Sequence, residues 1–328
     1  MRHTHRWDFG VHAILSFVNA ASIQTAEQDA ALRRRASSIV LGAALVLIAA
    51  KLWGWMATDS VALLTSAADG VVDALAAAAT FFGVRFAQRP ADSLHRYGHG
   101  KGEALAAFTQ AILLAGAALT LTAQSLWRLI YPQSLTAIGL GICVAAGGIA
   151  TSGILAAMQS WVVRRTGSTA IAADLTHYLM DAALNGAVLA ALALTSVTGW
   201  RRVDPAFALG IAGYMIVSAR RVALTASCQL LDHELPHPLR ERIKQTALSC
   251  RGVQAIHDLR TRDAGDRVFV EFHLEVDGRV SVDEGHDTVD AAEHAIAGLF
   301  CKQCEVIGHL EPAGIKDPRL DDRVRLTE

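Results

Sequence analysis

Two stretches decide the fold: Ala68-Asp69-Gly70-Val71-Val72-Asp73, inside the apolar run Val61 to Ala87, and Thr176-His177-Tyr178-Leu179-Met180-Asp181, inside Ser168 to Gly199. Each run exceeds the roughly 20 residues a helix needs to cross about 30 Å of hydrocarbon, so each reads as a membrane span. In both, two ligand-type side chains stand four residues apart and share one helix face. An ionised side chain at the bilayer centre costs at least about 2.5 to 3.5 kcal/mol, and three aspartates together roughly 8 to 10. A bound dication offsets that cost. The bland alternative, aspartates that only cap or pair inside a bundle, suits one isolated residue better than two matched pairs.

Asp69, Asp73, His177 and Asp181 supply three carboxylates and one imidazole. These are hard or borderline ligands, suited to tetrahedral Zn(II) and acceptable to Fe(II), Co(II) or Cd(II). The set includes no Cys or Met, which argues against Cu(I).

Working outward, four more apolar runs of spanning length occur: Ser37 to Ala57, Gly102 to Ile130, Ala137 to Val163 and Pro205 to Leu230. The 328 residues are 52% hydrophobic and 19% charged, and the apolar runs stop near position 230. The chain therefore reads as a six-helix membrane part followed by a soluble part. Arg33, Arg34, Arg35, Arg85, Arg89, Arg96, Lys101, Arg164 and Arg165 flank alternate connections. The positive-inside rule makes those connections and both termini cytoplasmic, although Arg201 and Arg202 fall on the other side. Each basic cluster abuts an apolar span, so nucleic acid is not the expected partner. The five cysteines fall in predicted spans or the cytoplasmic part, where thiols stay reduced.

Beyond Leu235 the pattern becomes αββαβ, with helices over Pro238 to Ser249 and Val282 to Phe300. Val268, Val270, Phe272, Leu274 and Val276 alternate with Phe269, Glu271, His273, Glu275 and Asp277, giving one core face and one wet face. Such an order suits a small open sheet with both helices on one side. His273, His309 and Glu311 occupy polar strand positions, and His257 and His286 are candidates to complete a cluster for one or two zinc ions. Surface histidines are the alternative. In the loop after the second span, Asp92, His95 and His99 fall at i, i+3 and i+7, near one face if that loop is helical. Cys301-Lys302-Gln303-Cys304 has zinc half-site spacing, but without a second pair it reads as a helix end.

Exporting a dication against an inside-negative potential costs about 4.6 kcal/mol per 100 mV, which a passive pore cannot supply. Carboxylates and imidazole lose protons to bind metal and regain them on release. His177, with an ordinary pKa near 6.5, is the first candidate to carry that proton, with Asp73 beside it. The rival readings are a metal sensor and an intramembrane metalloprotease; the latter requires HExxH or an equivalent pair, which this sequence lacks.

At these motifs the chain resembles the cation diffusion facilitator family, and within it the bacterial ferrous-iron and zinc efflux pumps. The markers are DxxxD at Asp69 and Asp73, HGKxE from His99 to Glu103, HxxxD at His177 and Asp181, and HDLRTR from His257 to Arg262. The resemblance implies six membrane helices, a cytoplasmic ferredoxin-like, metallochaperone-like α+β domain and a homodimer in the bacterial inner membrane exchanging metal for protons. It implies a transport site at Asp69, Asp73, His177 and Asp181, and a loop site at Asp92, His95 and His99. It also implies a two-metal site at His257, His273, His286, His309 and Glu311, and a dimer charge interlock of Lys101 with Asp232. Aspartate at position 69 goes with a range that includes Cd(II) and Fe(II). Two residues depart from the pattern: Glu311 stands where aspartate is usual, and Met180 where a small residue is usual.

The expected organisation is an N-terminal cytoplasmic tail over 1–36, a transport domain over 37–232, a metal-binding dimerisation domain over 233–312 and a disordered C-terminal tail over 313–328. Transported and structural Zn(II), protons, the lipid bilayer and a second copy of the chain are the expected partners.

Overall fold

A computed structural model describes residues 8–59, 61–131, 138–200, 202–300, 302–314 and 319–324. The chain forms two compact units, Gln28–Ser227 and, separately, Cys228–Glu328 with Met1–Glu27.

Six long helices come first: α1 (Asp8–Thr58), α2 (Val61–Ala87), α3 (Gly102–Ile130), α4 (Ile138–Thr166), α5 (Thr169–Thr198) and α6 (Val203–Leu230). All six contain a segment long and apolar enough to cross a membrane. α1 differs from expectation. It is one continuous helix that begins 29 residues before Ser37, so the stretch expected as a separate tail is helical from Asp8 onward. The cause is local: no proline or glycine stands between Val11 and Leu41 to interrupt it. The expected start of the fourth span, Ala137, lies outside the described residues.

Small residues let these helices approach closely, as packing inside a bilayer requires. A Cβ placed on Gly83 of α2 would stand 2.3 Å from the Ala106 Cβ on α3, and one on Gly148 of α4 would stand 2.8 Å from the Asn185 side chain on α5. Val40 and Ala44 of α1, Ala77 of α2, Leu155 and Ala156 of α4 and Tyr178 of α5 form one buried cluster. At one end of the bundle, Glu103 of α3 is buried between the Arg33 guanidinium at 2.9 Å and the Ser168 hydroxyl at 2.5 Å. Ser168 in turn caps α5 by accepting the Ile171 N–H.

The second unit contains α7 (His237–Leu248), β1 (Ala255–Asp263), β2 (Arg267–Val276), α8 (Val282–Ala297), β3 (Gln303–Pro312) and the short α9 (Leu320–Arg323). The sheet order is β1-β2-β3, antiparallel then parallel. Val268, Val270, Phe272, Leu274 and Val276 are buried against Ile243 and Ala247 of α7 and Val289, Ala292 and Ile296 of α8. Both helices therefore cover one face, and the αββαβ order holds. Ser281 and Glu284 close a reciprocal capping box on α8.

The other face is less wet than the alternation suggests. Phe269 is buried under the Arg262 guanidinium, 4.7 Å from its ring centre, and Glu275 is buried against Arg319. Part of the segment expected to be disordered supplies that cover: Leu320 and Asp321 donate backbone N–H groups to the Asp258 carboxylate at 2.9 and 3.0 Å. Asp258 can receive them because it sits in an irregularity of β1, with φ +51, where the strand turns its backbone out of register.

Candidate metal centres

α2 and α5 carry the first centre. His177 is buried on α5, with Nε2 3.3 Å from Asp73 Oδ1 on α2 and 3.5 Å from Asp181 Oδ2 one turn along its own helix. A tetrahedral ion held at about 2.0 to 2.1 Å places its ligand atoms about 3.3 Å apart, so these spacings suit a shared cation. Neither ring nitrogen of His177 has a hydrogen-bond partner among the described residues. Asp69 lies in α2 one turn before Asp73, and its side chain lies outside the described set.

The second centre forms between α2 and α3 without a helix. Pro90 and Gly98, the latter with φ +81, interrupt the chain, and the shared helix face considered for the loop is absent. A turn assembles the residues instead. The Asp92 carboxylate accepts the backbone N–H of His95 at 2.7 Å and of Leu94 at 2.9 Å. The His95 amide first, then the Leu94 amide and the His95 ring, hold this carboxyl below its usual range. His95 Nδ1 lies 3.1 Å from Asp92 Oδ1, and His99 Nε2 lies 3.4 Å from Oδ2. His99 is buried, with Nδ1 3.3 and 3.2 Å from the carbonyls of Arg89 and Pro90. Those acceptors favour a proton on Nδ1, leaving the Nε2 lone pair aimed at the cluster.

The third centre lies on the polar sheet face. His257, His273 and His309 stand in one row across the three strands, with ring centres 5.2 and 4.8 Å apart. Glu311 reaches two of them, with Oε1 2.6 Å from His273 Nδ1 and Oε2 3.1 Å from His257 Nε2. His309 Nε2 stands 3.6 Å from Glu311 Oε1. Burial pushes the Glu311 carboxyl up, but the hydrogen bond and charge of His273 and the nearby His257 outweigh it and hold the group below its usual range. His257 Nδ1 is buried without a hydrogen bond. That nitrogen is turned toward Asp258, and it is Nε2 that faces the cluster; the imidazole and carboxylate donors of His257, His273 and Glu311 lie close enough together to hold a divalent metal.

His286 does not join this cluster within one chain. It sits on α8, largely exposed, 3.6 Å from Asp290 of the same helix, and α8 covers the opposite sheet face. Glu275, not singled out from the sequence, does approach: its Oε1 lies 3.5 Å from His257 Nε2 and 2.7 Å from Arg319 Nη2. Its position two residues after His273 on the same strand face was the available signal.

Lys101 precedes α3 in one unit, and Asp232 belongs to the other, where its carboxylate is 3.5 Å from Arg262 Nη1. Cys301 lies outside the described residues. Cys304 packs against the apolar core of β2 and β3, and burial pushes its thiol up to about 11 although the Lys302 charge opposes this. A protonated thiol facing the core is packing rather than a ligand.

The chain matches two family models: the cation efflux transmembrane domain over residues 37–231 and the cytoplasmic domain of cation efflux proteins over 235–313. It is 39% identical over 281 residues to the cation-efflux pump FieF of Escherichia coli strains SE11 and HS, covering 86% of this chain and 93% of theirs. Among solved structures, the Zn form of CzrB is 39% identical and covers 26% of this chain and 99% of its own, with a TM-score of 0.24. A cadmium form of the MamM CTD is 24% identical and covers 23% and 95%, with a TM-score of 0.22.

Proposed function

The chain belongs to the cation efflux family, and on that footing we propose that it is a proton-coupled antiporter exporting divalent transition-metal cations from the cytoplasm. Zn(II) is the first expected cargo, with Fe(II), Cd(II) and Co(II) as further substrates. The observation that carries this reading is the His177 imidazole between Asp73 and Asp181, at 3.3 and 3.5 Å, across two apolar helices. Asp69 completes the ligand set. Cation binding at these groups displaces protons, and reprotonation from the far side returns the cation to water. Alternating exposure of one site then couples the two flows, with His177 and Asp73 as the proton-exchanging groups. The protein sits in the inner membrane with both termini cytoplasmic.

The loop residues Asp92, His95 and His99 receive a second ion on the cytoplasmic side. In the sheet unit, His257, His273, His309 and Glu311 hold resident metal, which supplies charge that binds strands and neighbouring copies together. The protein acts as a homodimer, with Lys101 and Asp232 contributing an interlock of opposite charges; His286 meets the cluster only if a second copy brings it there.

Uptake of Zn(II), Fe(II), Cd(II), Co(II) and Mn(II) into proteoliposomes tests the reading. Asp73→Ala is expected to abolish flux of the transported ions while leaving membrane insertion intact. Equal flux in both proteins refutes the site, and metal movement without proton counterflow refutes the antiport.

A further inference from the structure

Asp174 is an intramembrane carboxyl that the proposed ligand set does not use. It lies on α5 one turn before His177 and is only 1% exposed. Its partners are two glutamines from neighbouring helices. Gln110 Nε2 of α3 donates to Asp174 Oδ1 at 2.9 Å, and Gln159 Nε2 of α4 donates to Oδ2. Gln110 Nε2 also lies 2.9 Å from the Ala76 carbonyl and 3.0 Å from Thr80 Oγ1 of α2. All four polar side chains are at least 98% buried, and no ion pair involves Asp174 among the described residues. The charged groups acting on it are His177 and Asp181 of its own helix, and the Tyr178 phenol also lies in its field. From α3 and α4 it faces Gln110 and Gln159, and Thr80 of α2 reaches it only through Gln110; none of the three titrates.

A carboxylate held inside a membrane without a counter-ion is costly, and two neutral amide donors offset only part of that cost. Taking up a proton removes the charge but creates an O–H group that needs an acceptor. The pocket already holds two: Gln110 Oε1 and Gln159 Oε1 are both buried without a partner. A glutamine turned about its last bond offers oxygen where it offered nitrogen. The same two side chains can thus donate to the carboxylate or accept from the acid. A purely structural clamp has no need of two unsatisfied carbonyl oxygens beside a single acidic group.

We infer that Asp174 is a further proton-carrying residue of the exchange, holding a proton while the transport cluster lacks metal and releasing it when a dication binds one helical turn away. The inference rests on the proton-coupled reading above. The step exchanges one proton for the cation's field: the incoming dication favours the ionised carboxylate, the O–H bond breaks, the bonding pair stays on the carboxylate and offsets one of the cation's two charges, and the proton leaves to water. When the cation departs, a proton from water re-forms the O–H bond. Asp174 sits on the side of His177 nearer the start of α5, the end flanked by Arg164 and Arg165.

The test uses the full-length protein in proteoliposomes with Zn(II) uptake and internal pH recorded on the same vesicles. Asp174→Asn keeps shape and hydrogen bonding but cannot release a proton; the protons returned per Zn(II) are expected to fall by about one, with a flatter pH profile for uptake. An unchanged proton count and pH profile overturns the inference. A wild-type protein that moves Zn(II) with no proton flux overturns the antiport reading instead, which is a different result. If the asparagine variant fails to insert, infrared difference spectra of the intact protein decide. Zn(II) is expected to remove a carboxylic-acid carbonyl band that Asp174→Glu displaces, and a band unaffected by that substitution rejects the assignment.

Discussion

In the membrane unit, His177 stands 3.3 and 3.5 Å from its two carboxylates with no hydrogen bond on either nitrogen. In the sheet unit, Glu311 is clasped by His273 at 2.6 Å and faces His257 at 3.1 Å. Both clusters set imidazole against carboxylate, but the second has already made the contacts that the first leaves open. A cation entering between α2 and α5 displaces no hydrogen bond of His177, whereas one entering the sheet face must displace at least one imidazole–carboxylate bond. Open spacing suits passage, and a self-satisfied cluster suits a fold that persists with or without its ion.

That contrast can be broken most sharply by removing one carboxylate from each cluster. Asp73→Ala is expected to lower Zn(II) flux in proteoliposomes by about 100-fold or more, while Glu311→Ala leaves it within several-fold of wild type. Equal losses in both variants would erase the distinction. Phe272→Ala addresses the fold beneath the second cluster and should cost about 3 to 5 kcal/mol, since that ring is 1% exposed in the sheet core. Thermal unfolding should show the sheet unit melting early while membrane helicity persists.

Metal removal is a milder perturbation. Saturating chelator should lower the stability of the sheet unit by about 2.7 kcal/mol relative to a hundredfold excess of Zn(II) over its dissociation constant. Cooperative melting of the chelated protein is expected, because Glu311 keeps its histidine partners; an unfolded apo domain would contradict this. The smallest effect concerns acid. Burial pushes the Asp258 carboxyl up, but the backbone N–H groups of Leu320 and Asp321, with His257 and His273, hold it below its usual range. A depressed folded value means its contribution is present above the unfolded value near 3.9 and is lost as pH falls through the folded one. Hydrogen-exchange protection of the Leu320 and Asp321 amides should fall in that acid window, and Asp258→Asn should remove the pH dependence.

Much of this architecture was readable from spacing alone. Runs such as Gly102 to Ile130 announce helices by length, and the period-two run from Val268 to Val276 announces both the strand and its buried side. His177 and Asp181 could be paired because a helix brings i and i+4 together. Gln110, Gln159 and Asp174 could not be assembled this way, since they are 49 and 15 residues apart and meet only through tertiary packing. Asp174 lies inside the run Ser168 to Gly199 but was not singled out from the sequence. The docking of Leu320 and Asp321 was hidden for a related reason: it depends on the left-handed backbone of Asp258, which no local pattern specifies. His286 stays apart from the cluster within one chain because α8 covers the opposite sheet face, and periodicity does not say which face a helix covers.

The close approaches at Gly83 and Gly148 have a mechanical consequence. α2 is seated on α3, and α5 on α4, where Asn185 fills the space beside Gly148 and donates to the Asp181 carbonyl at 2.8 Å. The Asp73, His177 and Asp181 cluster straddles the contact between α2 and α5, while α3 is tied to α5 through Gln110 and Asp174. His177 and Asp181 ride on α5, so their 3.5 Å separation survives a slide along that contact, while the 3.3 Å separation to Asp73 does not. A shift of α2 against α5 by an ångström or two would carry Asp69 and Asp73 together away from His177 and Asp181, opening the cluster from one side only.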